Sequence, residues 1–462
     1  MIFTSDVFVL FAFVFYPLYF AMPGARSQNA LALGASYVFY GWWDARFLAL
    51  ILGSTLVNFA LARRVRGKRA LLLVAVAFNL GLLGFFKYFG FFTDQMVALM
   101  QALGVSAHRP SLTIILPVGI SFFTFQALSY VIDVARGRMA PEPSLLRFAT
   151  YIALFPQLVA GPIVRAGQLL PQLRQRQRFR WPNFWIGAEQ VLMGAALKLI
   201  LADRLAPMAD RIFEQPALFD SFTLGLGVVF FAFQIYGDFA GYSLMAIGLA
   251  RIMGLRFPLN FRRPYLATGF SAFWRRWHIS LSSWLRDYLY IALGGNRVGP
   301  WRTRLNLMAT MLLGGLWHGA GWPFLIWGAM HGSYLGLARA MGGPRRQHPL
   351  MRWGARAGVF CGVCLAWIFF RAPDLDTALA VVKGLVRLDG VSLAALPNKP
   401  QAAIGGVLIA VLMLAETLRE DCAPARRALA LRPVRLGRAL LLIGALPVLG
   451  QFQGGAFVYF QF

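Results

Sequence analysis

The sequence predicts an all-α fold: a polytopic membrane helix bundle with about 10–12 transmembrane helices and additional re-entrant or interfacial helices. Three observations predict it. Of the 462 residues, 58% are hydrophobic and only 14% are charged, more apolar surface than a soluble core can bury. Apolar segments of nearly bilayer-spanning length recur along the chain, and the apolar/polar alternation of outer-membrane barrel strands is absent. Helices follow, because backbone exposed to lipid must satisfy its own hydrogen bonds.

The candidate spans are spread over the whole chain. Several are short or interrupted by glycine, so we expect fewer full crossings than segments. They lie at residues 5–22, 30–42, 46–62, 70–86, 88–103, 112–135, 184–202, 221–236, 240–254, 305–317, 320–340, 355–371, 402–416 and 437–452.

Two polar-rich regions interrupt these spans. Residues 141–180 contain Pro156, Gly161 and Pro162 and end in a basic run. Proline and glycine at this density break a helix, so a re-entrant or interfacial element is expected there. Residues 256–304 alternate tryptophan and tyrosine with arginine. That composition is typical of a helix at the membrane interface, or one that dips into the membrane from it.

The charge is strongly positive, with 45 Lys and Arg against 18 Asp and Glu and a net charge of +27. The basic residues form clusters between apolar segments, as at residues 63–69. Positive-inside topology and anionic lipid headgroups account for such clusters. No basic region is long enough to fold as a separate domain, so we expect no nucleic-acid partner. The three cysteines lack the spacing of a zinc site, and we expect no metal.

Histidine is the main candidate for chemistry, since the chain has only five. His318 lies in the glycine-rich apolar stretch 314–321, where an ionisable side chain is costly and indicates function. An interhelical hydrogen bond is the alternative for His318. Interfacial packing is the alternative for His278, and a structural hydrogen bond is favoured for His331. Gly321 and Pro323 are expected to break the helix between His318 and His331.

The sequence contains no nucleophile elbow, P-loop or dinucleotide motif. The chemistry it suggests is therefore one that a single buried histidine can carry out. Neutral histidine can take the proton of an alcohol while that alcohol attacks an activated carbonyl group. Transport, with His318 on a proton or solute path, is the alternative from another class.

A series of short motifs carries a family resemblance. They are SYVFYGWWD at 36–44, FKY at 86–88, LPVGISFFTFQ at 116–126, PQLVAGPIVR at 156–165, QIYGDF at 234–239, FWRRWHISLS at 273–282, WLRDYLY at 284–290, LGGNR at 293–297 and GLWHG at 315–319. In this order they resemble the membrane-bound O-acyltransferase family, and within it the bacterial alginate O-acetyltransferase branch.

The resemblance implies a single membrane-embedded acyltransferase domain over 1–462. The family-matching core is about 1–335, and 336–462 form C-terminal transmembrane helices. It also implies a central tunnel, with His318 as the catalytic histidine and His278 at the second signature position. The positions it implies as tunnel-lining or supporting are Trp317, His331, Trp277, Arg276, Asp287 and Asn296.

The resemblance further implies a multi-pass enzyme of the bacterial inner membrane, surrounded by membrane lipids. It would bind no permanent cofactor and would take an acetyl group from a cytoplasmic donor, acetyl-CoA or another acetyl thioester. The acceptor would be the hydroxyls of an exported polysaccharide such as alginate, reached with a periplasmic acetyltransferase partner protein. Acetylation of peptidoglycan or cellulose, and D-alanyl transfer to teichoic acid, are the alternatives within the family.

Overall fold

The computed structural model describes residues 1–109, 114–159, 161–340, 348–391, 396–452 and 457. Within these ranges every regular element is helical, which confirms the predicted all-α class. The first residues of the predicted span 112–135 lie outside the described residues. The helices are Asp6–Ala21, Ala25–Gly41, Arg46–Ala62, Arg69–Leu83, Gly84–Tyr88, Phe89–Ala102, Ile120–Ala135, Leu145–Ala153, Phe155–Leu158, Ala166–Leu173, Trp181–Ala195, Ala196–Ala202, Asp203–Glu214, Pro216–Leu218, Ser221–Ile252, Pro264–Leu266, Phe270–Trp274, Ile279–Trp284, Leu285–Tyr290, Pro300–His318, Trp322–Ala340, Pro349–Arg371, Leu375–Arg387, Lys399–Asp421, Ala423–Ala428 and Arg432–Leu449.

The described part of the chain contains five helices that are long and apolar enough to cross a bilayer, and the protein is a multi-pass membrane protein. They are Arg69–Ala102, Trp181–Glu214, Ser221–Ile252, Leu350–Arg371 and Lys399–Asp421. Shorter apolar helices accompany them at Asp6–Ala21, Arg46–Ala62 and Ile120–Ala135. The larger count expected from the sequence stays a prediction.

Two pairs of predicted spans are single helices in the structure. Residues 70–86 and 88–103 belong to the continuous helix Arg69–Ala102, which contains a π-helical stretch at Gly84–Tyr88. Residues 221–236 and 240–254 belong to Ser221–Ile252. The predicted boundaries at 87 and at 237–239 were therefore wrong. In Ser221–Ile252, Gly237 packs against the backbone of a neighbouring helix and does not end its own helix.

The chain divides into two compact units, and residues 1–188 with 246–258 form the first. Inside it, Asn58 and Asn79 are fully buried and join two helices through paired amide hydrogen bonds of 2.7 and 3.2 Å. The polar region 141–180 forms three short helices, not one span. The described part of this region therefore contains no continuous span, and its re-entrant or interfacial placement stays a prediction.

The second unit contains residues 189–245 and 259–462. Within this unit, the parts of Trp181–Glu214 and Ser221–Ile252 that belong to it approach each other closely at glycine. A Cβ atom on Gly241 would lie 2.7 Å from the carbonyl oxygen of Gly194, and one on Gly237 would lie 2.9 Å from that of Leu197. Small residues four apart are the usual means by which membrane helices bring their backbones together.

A buried charge cluster fixes the same pair of helices. The Lys198 ammonium group lies 2.7 Å from Asp203 and 2.8 Å from Asp238, and all three side chains are at most 5% exposed. A cation between two carboxylates compensates the desolvation of each ion, whereas a single buried charge would be strongly unfavourable. Asp238, in the motif at 234–239, therefore has a structural partner.

The hairpin of Pro300–His318 and Trp322–Ala340 is the element that positions His318. Its two helices touch backbone to backbone: a Cβ on Gly315 would overlap the carbonyl oxygen of Phe324, and one on Gly328 would lie 2.5 Å from that of Met311. The helix break that the sequence predicts between His318 and His331 is confirmed, since the second helix begins at Trp322.

Gly328→Ala tests this packing. The added methyl group meets backbone on the opposite helix, which cannot move as a flexible side chain can, so we expect a loss of about 1–3 kcal/mol in the free energy of unfolding. Gly336→Ala, in the same helix with nothing within 4 Å of its Cβ position, is the matched control. Thermal unfolding of the detergent-solubilised proteins measures both. Equal unfolding temperatures for the two variants would contradict the close approach.

Candidate functional site

His318 is the last residue of the helix Pro300–His318 and is only 3% exposed. Gly319 follows it in extended conformation, and a side chain at Gly319 would overlap the ring of Phe324. The glycines around His318 are therefore required for packing: they let the chain turn tightly directly after the imidazole.

Aromatic rings surround the His318 imidazole. Their centroids lie at 4.9 Å for Trp317, 5.0 Å for Trp327 and 5.3 Å for Phe370, all nearly perpendicular to the imidazole. Aromatic walls of this kind exclude water and lower the local dielectric, which strengthens every electrostatic interaction made by a group bound there.

His278 adopts a left-handed backbone conformation, with φ 42°, directly before the short helix Ile279–Trp284. Its Nδ1 atom accepts a hydrogen bond of 3.2 Å from the backbone N–H of Leu281, so the imidazole caps this helix. Burial lowers the pKa of His278 to about 3 and keeps the ring neutral. With Nδ1 accepting, the hydrogen of the neutral ring lies on Nε2.

Asn260 holds the backbone next to His278 in place. Its carbonyl oxygen accepts from the N–H of Ile279 at 2.9 Å, and its side-chain oxygen accepts from the hydroxyl of Ser280 at 2.9 Å. The Asn260 amide in turn donates to Ser243 at 3.0 Å. Asn260 could not be predicted from the sequence, since a single asparagine in a polar loop gives no signal.

The two signature histidines are neighbours. The ring centroids of His278 and His318 are 6.4 Å apart and their planes are perpendicular, at 89°. Trp317 lies beside both, 5.9 Å from His278. Two imidazoles at this separation can act on the same small group, one by accepting a proton and the other by donating a hydrogen bond.

His331 lies one helical turn after Trp327 and is fully buried. The indole N–H of Trp274 donates to its Nδ1 atom at 3.3 Å, which is the structural hydrogen bond favoured from the sequence. The Trp327 ring lies 5.0 Å from His318 and 4.8 Å from His331. The third histidine thus belongs to the same aromatic cluster.

The other predicted site residues differ in position. Trp277 is buried and packs 5.1 Å from Trp367 inside the cluster. Arg276 is paired with Glu420 at 2.8 Å, and Asp287 with the adjacent Arg286 at 2.7 Å. Asn296 is exposed. Their predicted roles stay predictions.

Trp274, Trp284 and Tyr288, from the region predicted to lie at the interface, are buried inside the protein.

Two cluster residues come from the region that the sequence analysis treated only as hydrophobic spans. Trp367 and Phe370 lie on the helix Pro349–Arg371 and pack against Trp327 at 6.0 and 5.5 Å. Aromatic residues one turn apart in an apolar helix are commonplace. Nothing in the sequence therefore predicts that this helix completes the site.

The family model described as "MBOAT, membrane-bound O-acyltransferase family" matches residues 138–375, a stretch that contains His278, His318 and Trp367. "Probable alginate O-acetylase AlgI" of Pseudomonas putida is 42% identical over 90% of this chain and 86% of its own length.

Two further relatives carry other names. "Peptidoglycan O-acetyltransferase" of Helicobacter pylori is 35% identical over 84% of this chain and 81% of its own length. "Teichoic acid D-alanyltransferase" of Bacillus subtilis is 29% identical over 48% of this chain and 59% of its own length.

Substitutions of His278 separate its capping role from its chemistry. Asparagine tolerates the left-handed conformation and can cap a helix, whereas alanine loses the cap at about 0.5–2 kcal/mol. We expect His278→Asn to unfold near the wild-type temperature and His278→Ala at a lower one, with acyl transfer lost in both. Thermal unfolding and acyl transfer are measured on the same preparations. Wild-type transfer by His278→Asn would show that only the cap is needed.

Proposed function

Because the chain belongs to the membrane-bound O-acyltransferase family, we propose that this enzyme transfers an acetyl group from a thioester to hydroxyl groups of an exported polysaccharide, with alginate as the acceptor. The perpendicular pair of buried histidines, 6.4 Å apart in an aromatic cluster, carries the proposal. The 42% identity to the Pseudomonas putida alginate O-acetylase over 90% of the chain supports this choice of acyl group and acceptor.

In the proposed reaction His318 is the general base. Its imidazole takes the proton of the acceptor hydroxyl as the hydroxyl oxygen attacks the carbonyl carbon of the thioester. The C–S bond then breaks, and the departing thiolate takes that proton from His318, so the ring is neutral again after each turnover. Proton transfer of this kind contributes about 10²–10⁴-fold to the rate.

His278 is proposed to position and polarise one of the reacting groups. A low pKa caused by burial keeps its ring neutral, and the cap to Leu281 leaves the hydrogen on Nε2. That arrangement suits hydrogen-bond donation and does not suit proton uptake. The two histidines therefore have different roles: His318 accepts a proton, and His278 donates a hydrogen bond from Nε2.

The proposal includes a location and partners. The enzyme would lie in the bacterial inner membrane, with acetyl-CoA or another acetyl thioester entering from the cytoplasm through a central tunnel. A periplasmic acetyltransferase partner protein would present the polysaccharide hydroxyls for transfer. The excess of basic residues, 45 against 18 acidic ones, supports an anionic donor such as a coenzyme A thioester.

Peptidoglycan is the second acceptor to consider. The Helicobacter pylori peptidoglycan O-acetyltransferase is 35% identical over 84% of this chain, which is a long match as well. Its reaction would use the same histidine pair, because both acceptors offer a sugar hydroxyl. Alginate and peptidoglycan are therefore distinguished by identifying the acetylated product, because the chemistry of the site is the same for both.

His318→Ala is expected to abolish O-acetylation, because the hydroxyl loses its base while the surrounding packing remains. The measurement is the O-acetyl content of alginate secreted by an alginate-producing host whose own membrane acetylase gene is deleted and replaced by this one. His108→Ala, which removes an exposed histidine in a loop, is the control and should keep wild-type acetylation.

The outcomes separate the alternatives. Normal acetylation by His318→Ala, with equal amounts of protein in the membrane, would contradict the proposed base. Acetyl esters on peptidoglycan instead of alginate would change the acceptor and leave the transfer chemistry intact. Solute transport that survives His318→Ala, with no acyl product from either protein, would replace the enzyme by a transporter.

A further inference from the structure

Three buried N–H groups, one on Trp327 beside His318 and two on its neighbours, have no hydrogen-bond acceptor among the described residues. They are the indole Nε1 of Trp327, the indole Nε1 of Trp367 and the Nε2 of His331. Trp327 is 1% exposed and the other two side chains are fully buried. Buried polar groups nearly always have a partner, because an unsatisfied one loses its hydration without compensation. Three together indicate an acceptor that a bound molecule supplies.

All three groups are donors. An indole nitrogen carries a hydrogen and offers no lone pair for a hydrogen bond. In His331 the Nδ1 atom accepts from Trp274 at 3.3 Å, so the hydrogen of the neutral ring lies on Nε2. A set made only of donors fits a ligand atom that only accepts. A carbonyl oxygen is such an atom, whereas a hydroxyl group also has a hydrogen to place.

Trp327 is central among these donors. Its ring lies 4.8 Å from His331 and 5.0 Å from His318, and it stacks with Trp367 at 6.0 Å. Trp327 is therefore adjacent to the proposed base, and the other two donors adjoin Trp327. A carbonyl oxygen bound by them would belong to the acyl group that is attacked next to His318.

We infer that the Trp327 N–H, with Trp367 and His331 as neighbouring donors, binds the carbonyl oxygen of the acyl donor and stabilises the oxyanion formed during transfer. This inference rests on the proposed function. As the hydroxyl oxygen bonds to the carbonyl carbon, the C=O π electrons move onto the carbonyl oxygen and His318 takes the hydroxyl proton. The C=O bond then re-forms, the C–S bond breaks, and the thiolate receives the proton.

The donors are effective because they are fixed before the reaction begins. The negative charge on the carbonyl oxygen is largest in the transition state and the tetrahedral intermediate, so donors held in place by packing stabilise these more than the bound thioester. Trp327 is held by edge-to-face contacts with Trp274 at 5.8 Å and Phe370 at 5.5 Å. Little reorganisation is needed when charge develops.

The test replaces Trp327 with β-(3-benzothienyl)alanine, in which sulfur takes the place of the indole N–H and the bicyclic shape is kept. Acetyl transfer is followed as the initial rate of ester formation on alginate per enzyme molecule in the host described above. We expect the rate to fall roughly 10²–10³-fold, as when one oxyanion donor is removed, with an unchanged unfolding temperature. The same replacement at Trp301, which is 69% exposed, is the matched control and should keep the wild-type rate.

Each outcome bears on one claim. A wild-type rate with the Trp327 analogue overturns the donor role, and a lowered unfolding temperature with that rate assigns the N–H to a structural contact. The wild-type enzyme and His318→Ala are measured in parallel. An active wild type, an inactive His318→Ala and a fully active analogue would overturn the donor role alone. A wild type that forms no ester overturns the proposed function, and the donor role with it.

Discussion

The close approach of two helix backbones in the hairpin Pro300–His318/Trp322–Ala340 is the constraint on which the site depends. It is possible only where Gly315 and Gly328 carry no Cβ atom. Because the helices touch there, the turn after His318 is short, and Trp327 on the second helix faces the imidazole at 5.0 Å. The same helix, one turn later, supplies His331. The relative positions of His318, Trp327 and His331 are therefore determined by contact between the two helix backbones. Such contact tolerates less variation than side-chain packing does.

Much of this arrangement follows from the sequence. The apolar composition predicts the all-α membrane class, and the helix break at Gly321 and Pro323 is where these residue types place it. A histidine in apolar sequence has few roles other than a structural hydrogen bond or chemistry, so His318 stands out by its surroundings alone. The glycine directly after His318 allows a close approach to the ring of Phe324.

Other features could not be read from the sequence, for physical reasons. The interior of Ser221–Ile252 contains Gly237 and Gly241, which resemble a break, yet the backbone of a neighbouring helix packs against them and the helix continues. Trp367 reaches the site from an apolar helix that resembles any lipid-facing span. The left-handed conformation of His278 depends on Asn260 and on the cap to Leu281. A histidine at position 278 does not by itself predict a positive φ. Long-range packing determines all three.

The central claim is that acyl transfer takes place between His278 and His318, inside the aromatic cluster. The most direct measurement is an electron cryo-microscopy structure of the protein in lipid nanodiscs with a ketone analogue of acetyl-CoA, in which CH₂ replaces the thioester sulfur and transfer is blocked. The account predicts the acetyl group against both imidazoles, with its carbonyl oxygen within about 2.7–3.2 Å of the Trp327 indole nitrogen. An analogue bound with its acetyl group elsewhere, and the histidine pair closed by protein side chains alone, would contradict it.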